Sequence, residues 1–182
     1  MKYSYTRHYK FKLEEAEVRQ TGITGFEFDT RYYTMLDDGT FLLKKSYAWD
    51  GSSIPHKELL IALSLEIYDP DKYCKVPSLV HDGLCQAMRE GLIPVCYKDD
   101  ADLLYRDMCI EYRMKMWEIE TKKKTDKKRA KYIRKVKKWA NRRYWALQEF
   151  GDGGIKPEKN PRNKIYDTEI VERKNYEQAS SN

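Results

Sequence analysis

The chain has 182 residues, of which 41% are hydrophobic and 35% charged, a balance that supports one globular core beneath a strongly hydrated surface. It contains no run of 18 apolar residues and begins without the apolar segment of a signal peptide, so we expect neither a membrane-spanning helix nor secretion. The net charge is +6, and it is unevenly distributed along the chain.

The N-terminal part of the chain predicts β-structure. Residues 26–36 are rich in aromatic side chains and threonine, Asp38-Gly39 is a turn signal, and residues 40–47 form a second extended run. Together they predict a β-hairpin. Because an isolated hairpin is marginally stable, we expect it to pack on helices or to pair with residues 3–12. Residues 12–19 fit either a short helix or a strand.

A polar loop is predicted to leave this sheet. It reads Trp49-Asp50-Gly51-Ser52-Ser53-Ile54-Pro55, and Asp, Gly, Ser and Pro each favour turns. We expect Asp50 to bond to backbone N–H groups of its own loop or of a later helix. Residues 59–68 then predict a short buried helix.

The central element of the sequence is a helix predicted over residues 76–91, with Pro77 in its first turn and Gly91 closing it. Apolar residues recur at three- and four-residue spacing, which indicates a helix buried on one side. His81 lies on that side. Because a buried imidazole without a partner is costly, we predict that His81 has one.

Two long helices are predicted over residues 101–122 and 126–149. The expected fold is therefore α+β: an N-terminal β-hairpin or small antiparallel sheet, followed by a layer of three or four helices. Residues 1–151 are predicted to form a single domain, and residues 152–182 an extended C-terminal tail.

Positive charge is concentrated between residues 121 and 143, which contain thirteen Lys or Arg against one acid, Asp126. Such a segment indicates either contact with a polyanion or a solvated helix face. If it binds a polyanion, the expected contacts are Lys131, Arg134, Lys135, Lys138 and Arg142. The aromatic residues between them are Tyr132, Trp139, Tyr144 and Trp145.

The candidate chemistry centres on His81. Asp102 is predicted to bond to one ring nitrogen and to leave the other as a general base. Asp82 and Asp50 are predicted to hold a hard cation, calcium or magnesium, through carboxylate oxygens, which would suit metal-assisted hydrolysis. Equally, these residues fit a structural network that ties the loop to the helix.

Ser52 and Ser53 are predicted to stabilise the loop. A serine nucleophile activated by His81 is a further alternative, although the loop lacks the Gly-x-Ser-x-Gly pattern. The four cysteines lack paired zinc-ligand spacing and are expected to be reduced thiols.

Four segments together resemble a phage and prophage domain family of unknown function. They are the loop 49–55, Leu79-Val80-His81-Asp82-Gly83-Leu84, Ala101-Asp102-Leu103-Leu104-Tyr105, and Tyr144 with Phe150-Gly151. The resemblance covers residues 26–151. It departs from the usual pattern at Ser53 and Tyr105, and in a basic helical insertion over residues 117–143. It implies a phage accessory protein located in the host cytoplasm or the virion, and no established activity. From its charge, the basic helix is expected to contact nucleic acid or another phage protein.

A looser likeness is to secreted phospholipases, which also carry consecutive His and Asp residues on a helix and a second Asp on a following antiparallel helix. The likeness implies that His81 is the base, Asp82 the calcium ligand with the Asp50-Gly51 loop, and Asp102 the orienting acid. The disulfides of those enzymes are absent here.

Overall fold

A computed structural model describes residues 1–7, 9–51, 70–120, 125–155 and 170–173. Small antiparallel sheets precede three helices, which confirms the predicted α+β fold. The strands are β1 Tyr3–Tyr5, β2 Phe11–Leu13, β3 Glu17–Gln20, β4 Phe28–Thr30, β5 Tyr33–Met35, β6 Thr40–Leu43, β7 Ala48–Trp49 and β8 Ile170–Arg173. The helices are α1 Pro70–Arg89, α2 Lys98–Glu120 and α3 Asp126–Phe150. None of these three helices is long and apolar enough to cross a membrane.

The predicted hairpin is formed by β5 and β6, which pair antiparallel through a turn at residues 36–39. Gly39 has a φ of 84°, a conformation that glycine adopts at low cost. The single strand predicted over residues 26–36 is wrong, because β4 and β5 are separate strands that pair with each other. Thr30 causes the break: its Oγ1 donates to the Tyr33 carbonyl and accepts from the Tyr33 N–H, which closes a tight turn.

The strands form two sheets, ordered β1-β2-β7 and β3-β6-β5-β4-β8. Residues 17–20 are thus a strand, beside β6, which settles the ambiguity over residues 12–19. Pairing of the hairpin with residues 3–12 is not observed, because β1 and β2 pair with each other and β2 also pairs with β7. Part of the predicted tail, β8, adds a strand beside β4.

Helix α1 begins at Pro70, six residues before its predicted start, and Pro77 lies inside it. Pro77 was placed in the first turn from local preference alone, and that prediction was wrong. Tyr73, Cys74 and Val76 are buried, and their burial stabilises a helix that begins before Pro77. The short helix predicted over residues 59–68 lies outside the described residues.

The main core joins the sheets to α1. Its largest fully buried side chains include Phe11, Tyr33, Phe41, Trp49 and Leu79. Gly83 sets the distance between the layers, since a Cβ atom there would lie 2.8 Å from Leu43 Cδ2 and 2.9 Å from Phe41 Cε1. The absence of a side chain at this position therefore lets the helix that carries His81 approach the sheet.

The three helices pack antiparallel in chain order. Between α1 and α2, His81 contacts Asp102, whereas the earlier Cys74 contacts the later Cys109. Helices α2 and α3 extend together as a hairpin, in which Trp117 stacks on Tyr132 with ring centroids 5.0 Å apart. The described residues of the predicted basic insertion thus form the last turn of α2, at residues 117–120, and most of α3, at residues 126–143.

Candidate functional site

Helix α1 places His81 on its buried face. Leu79, Val80, Leu84 and Met88 are all buried, and His81 is only 8% exposed. The prediction that His81 points inward is confirmed. Its ring also meets the ring of Tyr105 edge-on, with centroids 5.5 Å apart. The imidazole is therefore held between α1 and α2.

Asp102 is the predicted partner of His81, and the structure brings the two together. Nε2 of His81 lies 2.6 Å from Oδ1 of Asp102, whose side chain is fully buried. The ionised carboxylate only accepts hydrogen bonds, so Nε2 carries the hydrogen. This bond fixes the orientation of the ring and leaves Nδ1 as the other polar atom of the imidazole.

The second oxygen of Asp102 is shared by two further side chains. Lys98 Nζ lies 2.6 Å from Oδ2, and Gln148 Nε2 donates to the same oxygen at 2.7 Å. Lys98 also donates to the Leu147 carbonyl at 3.2 Å. One buried carboxylate thus connects α1, α2 and α3.

Nδ1 of His81 faces Asp82. Their closest atoms, Nδ1 and Oδ1, are 3.8 Å apart, which is an ion-pair distance but too long for a direct hydrogen bond. The Cys85 sulfur lies 3.8 Å from Nδ1 and 3.7 Å from Nε2. The Asp82 side chain is 39% exposed, so this side of the imidazole is the side nearer to solvent.

Charge shifts the proton affinity of each group in the cluster. Burial acts to lower the pKa of His81, but Cys85, Asp102 and Asp82 outweigh it and hold that pKa well above its usual value. Burial acts to raise the pKa of Asp102, but His81 and Lys98 outweigh it and lower that pKa. The two shifts both favour an imidazolium beside a carboxylate.

Asp82 behaves in the opposite way to Asp102. Its pKa is raised, first because the partly exposed carboxylate is still desolvated and also because Asp50 places a like charge nearby, although His81 acts to lower it. Asp50 Oδ1 accepts a bond from the Lys10 backbone N–H at 3.3 Å, a partner that the sequence did not indicate. The two predicted cation ligands are thus electrostatically coupled carboxylates.

The ligand set for a cation is incomplete within the described part of the chain. No group of three or more His, Cys, Asp or Glu residues that could hold a metal ion is found there. Calcium binds six to eight oxygens, so Asp82 and Asp50 could supply only part of such a site. Ser52 and Ser53, predicted to stabilise the loop, lie outside the described residues.

The sequence motifs converge at this cluster. His81 and Asp102 each belong to one of them, and Gly151 belongs to a third: a Cβ atom there would lie 3.2 Å from Lys98 Nζ. Lys98 was not among the predicted site residues, although it lies one helical turn before Asp102 and faces the same way. Gln148 was not predicted either, because it lies 46 residues from Asp102 and no local pattern marks it.

A second candidate site lies on the exposed face of α3. The five predicted polyanion contacts are all exposed. Three of them, Arg134, Lys138 and Arg142, border a shallow hollow of about 530 Å³ together with Lys137, Asn141 and Trp145. We call these six residues the basic stripe.

Comparison with protein-family models, with curated proteins and with solved structures finds no match for this chain. Its function therefore has to be inferred from the two sites themselves.

Proposed function

We propose that the protein is a phage-encoded accessory protein that catalyses hydrolysis at the cluster of His81, Asp102 and Asp82. The observation that carries the proposal is the position of the imidazole, with Nε2 bonded to Asp102 and Nδ1 facing Asp82 across 3.8 Å. The phage setting rests on the motif resemblance.

In this proposal His81 is the general base. Asp102 holds the ring, keeps the hydrogen on Nε2 and stabilises the imidazolium that forms when Nδ1 takes a proton from water. Because the pKa of His81 is raised, the unprotonated form needed by a base becomes more abundant as pH rises. Hydrolysis should therefore increase as pH rises above neutrality.

Asp82 and Asp50 are the proposed ligands of a calcium or magnesium ion. A bound cation would polarise the substrate and stabilise negative charge that develops in the transition state. Asp82 also distinguishes the proposal from a purely structural one. A clamp between helices needs only the pair of His81 and Asp102, whereas desolvation and Asp50 disfavour the charged form of Asp82. Titratable groups with perturbed pKa values that lie close together, as His81, Asp82 and Asp102 do, are characteristic of functional sites.

The test compares the full chain with His81→Asn, His81→Ala and Asp82→Asn. Each protein is incubated with p-nitrophenyl acetate, bis(p-nitrophenyl) phosphate and phosphatidylglycerol vesicles, with calcium, with magnesium and with EDTA. The proposal expects wild-type hydrolysis of one of these probes to fall at least 100-fold in both His81 variants, because general-base catalysis contributes about that much. Circular dichroism checks that His81→Asn remains folded.

The competing function is a non-enzymatic virion or interaction protein in which the cluster only connects the helices. It would be favoured if wild type hydrolysed none of the probes faster than His81→Asn while both His81 variants lost stability. It would also be favoured if His81→Asn kept the full wild-type rate.

A further inference from the structure

The basic stripe of α3 has the properties of a binding surface for an extended strand. Its residues recur at alternating intervals of three and one positions between Arg134 and Trp145. This spacing places them on one side of the helix, in a band parallel to its axis. From Arg134 to Trp145 the stripe is about 16 Å long at 1.5 Å per residue. The opposite face, formed by Val136, Ala140, Arg143 and Ala146, is buried.

The charge of the stripe is not neutralised by its own helix. Residues 127–148 contain no Asp or Glu, so the usual pairing of Lys with Glu one turn away cannot occur there. Among the described residues, none of the salt bridges involves a stripe residue, whereas Arg129, earlier on α3, pairs with Glu118. A solvated helix face normally mixes both signs of charge, so the stripe is available for an external anion.

Trp145 adds a second, independent feature. Three other aromatic residues of α3 have partners on neighbouring helices: Tyr132 stacks on Trp117, Trp139 contacts Tyr73, and Tyr144 donates to Asp99. Trp145 meets Phe150 of its own helix edge-on, with ring centroids 6.0 Å apart, and remains 56% exposed at the end of the stripe. An indole held beside free cations is a platform on which a nucleic-acid base can stack.

We propose that the basic stripe binds single-stranded nucleic acid, with Arg134, Lys137, Lys138 and Arg142 contacting phosphates and Trp145 stacking on a base. A membrane surface fits less well, because an interfacial helix inserts an apolar face and the apolar face of α3 is already buried in the protein. A duplex fits less well because its bases are stacked on one another and are not open to the indole.

The experiment uses the full chain. It measures binding to a labelled 12-nucleotide oligo(dT) and to a labelled 12-base-pair duplex by fluorescence anisotropy of the label. Binding to phosphatidylglycerol vesicles is measured by co-sedimentation. Binding of oligo(dT) should weaken with salt, and a plot of log K against log salt should have a slope of about −3 for four phosphate contacts. The double variant Lys138→Glu, Arg142→Glu should weaken binding at least tenfold and make the slope shallower by about 1.4.

The matched control is Lys115→Glu, Lys128→Glu. It makes the same change in net charge, but Lys115 is on α2, and Lys128 lies about 110° round α3 from the middle of the stripe and more than one turn before its first residue. The control should reduce binding much less than the stripe variant. Trp145→Ala should weaken oligo(dT) binding about tenfold and leave the weaker duplex binding unchanged.

Equal losses in the stripe and control variants would overturn the proposal, and so would the absence of oligo(dT) binding. Tighter binding to the vesicles than to oligo(dT) would instead identify a lipid surface as the partner. None of these outcomes depends on hydrolysis, because the stripe and the His81 cluster are tested by different variants.

Discussion

Gln148 donates a 2.7 Å hydrogen bond to Oδ2 of Asp102, so the carboxylate that orients His81 is also bonded to the last turn of α3. Lys98 binds the same oxygen. The orientation of His81 therefore depends on the packing of all three helices. A substitution that shifts α3 would therefore change the orientation of the imidazole even where the substituted residue does not contact His81.

Removing Asp102 should destabilise the protein strongly. Asp102→Ala leaves the His81 and Lys98 charges without their shared carboxylate, and loss of one partner from a buried ion pair typically costs about 3–5 kcal/mol. Urea unfolding followed by circular dichroism measures the free energy of unfolding. Asp107→Ala, on the exposed side of the same helix, is the control and should change it by less than about 0.5 kcal/mol. Similar values for the two variants would contradict the central place of Asp102.

The contribution of His81 to stability should depend on pH with a defined sign. Its folded pKa is raised, so its stabilising contribution is complete below about pH 6.5 and is lost as pH rises through the folded pKa. Asp102 has a lowered pKa, so its contribution is complete above about pH 4 and is lost as pH falls through the folded pKa.

The measurement is the difference in free energy of unfolding between Cys85→Ala and the double variant Cys85→Ala, His81→Asn, from pH 5 to pH 10. The Cys85→Ala background removes the ionisable thiol beside the ring, so that, among the described residues, Asp102 and Asp82 remain as the charged groups that raise the pKa of His81. The ring of Tyr105 also contacts the imidazole. The difference should be largest near pH 5–6 and shrink towards pH 10. A difference that grows with pH would show that His81 is neutral in the fold.

The part of the site that the sequence predicted depends on helical periodicity. The spacing of His81 with Leu84 and Met88 determines which way the imidazole points, and burial then requires a partner. Asp102 was identified by the motif resemblance, and only packing decides whether the two meet. The contact between Gln148 and Asp102 could not be predicted in this way, because it depends on the length and orientation of α3.

The same limit explains why Trp139 and Trp145 were not distinguished. They lie six residues apart on one helix, among similar basic neighbours, and the sequence marks both as aromatic residues in a basic segment. Packing of α3 against α2 places Trp139 over Arg113 and leaves Trp145 exposed. Pro77 is a comparable case, since a local preference for helix starts was overridden by burial.

Gly83 should not tolerate even a methyl group. Elsewhere in a helix Gly→Ala stabilises, but a Cβ atom here would lie closer than 3.0 Å to both Leu43 and Phe41. We expect Gly83→Ala to lower the free energy of unfolding by about 1–3 kcal/mol, as overpacking does. The cost should be smaller in a Phe41→Leu background, where the ring atom nearest the new methyl is removed. Equal costs in both backgrounds would place the strain elsewhere.

The last prediction separates a functional Asp82 from a structural one. Because the folded pKa of Asp82 is raised, its ionisation costs stability: the protein should lose stability as pH rises from about 4 through that folded pKa. Asp82→Asn should therefore raise the melting temperature at pH 7, although the variant loses an ion-pair partner of His81. A structural carboxylate would give the opposite result, as Asp102→Asn should.

The same reasoning predicts how a cation acts. Millimolar calcium or magnesium at pH 7 should raise the melting temperature of the wild type, because the ion offsets the repulsion between Asp82 and Asp50 and binds the folded form. Asp82→Asn and Asp50→Asn should each reduce that rise, whereas Asp107→Asn should not. A cation effect that is the same in all four proteins would be nonspecific. A lower melting temperature in Asp82→Asn would make Asp82 a structural partner of His81 and remove the main support for a hydrolytic site.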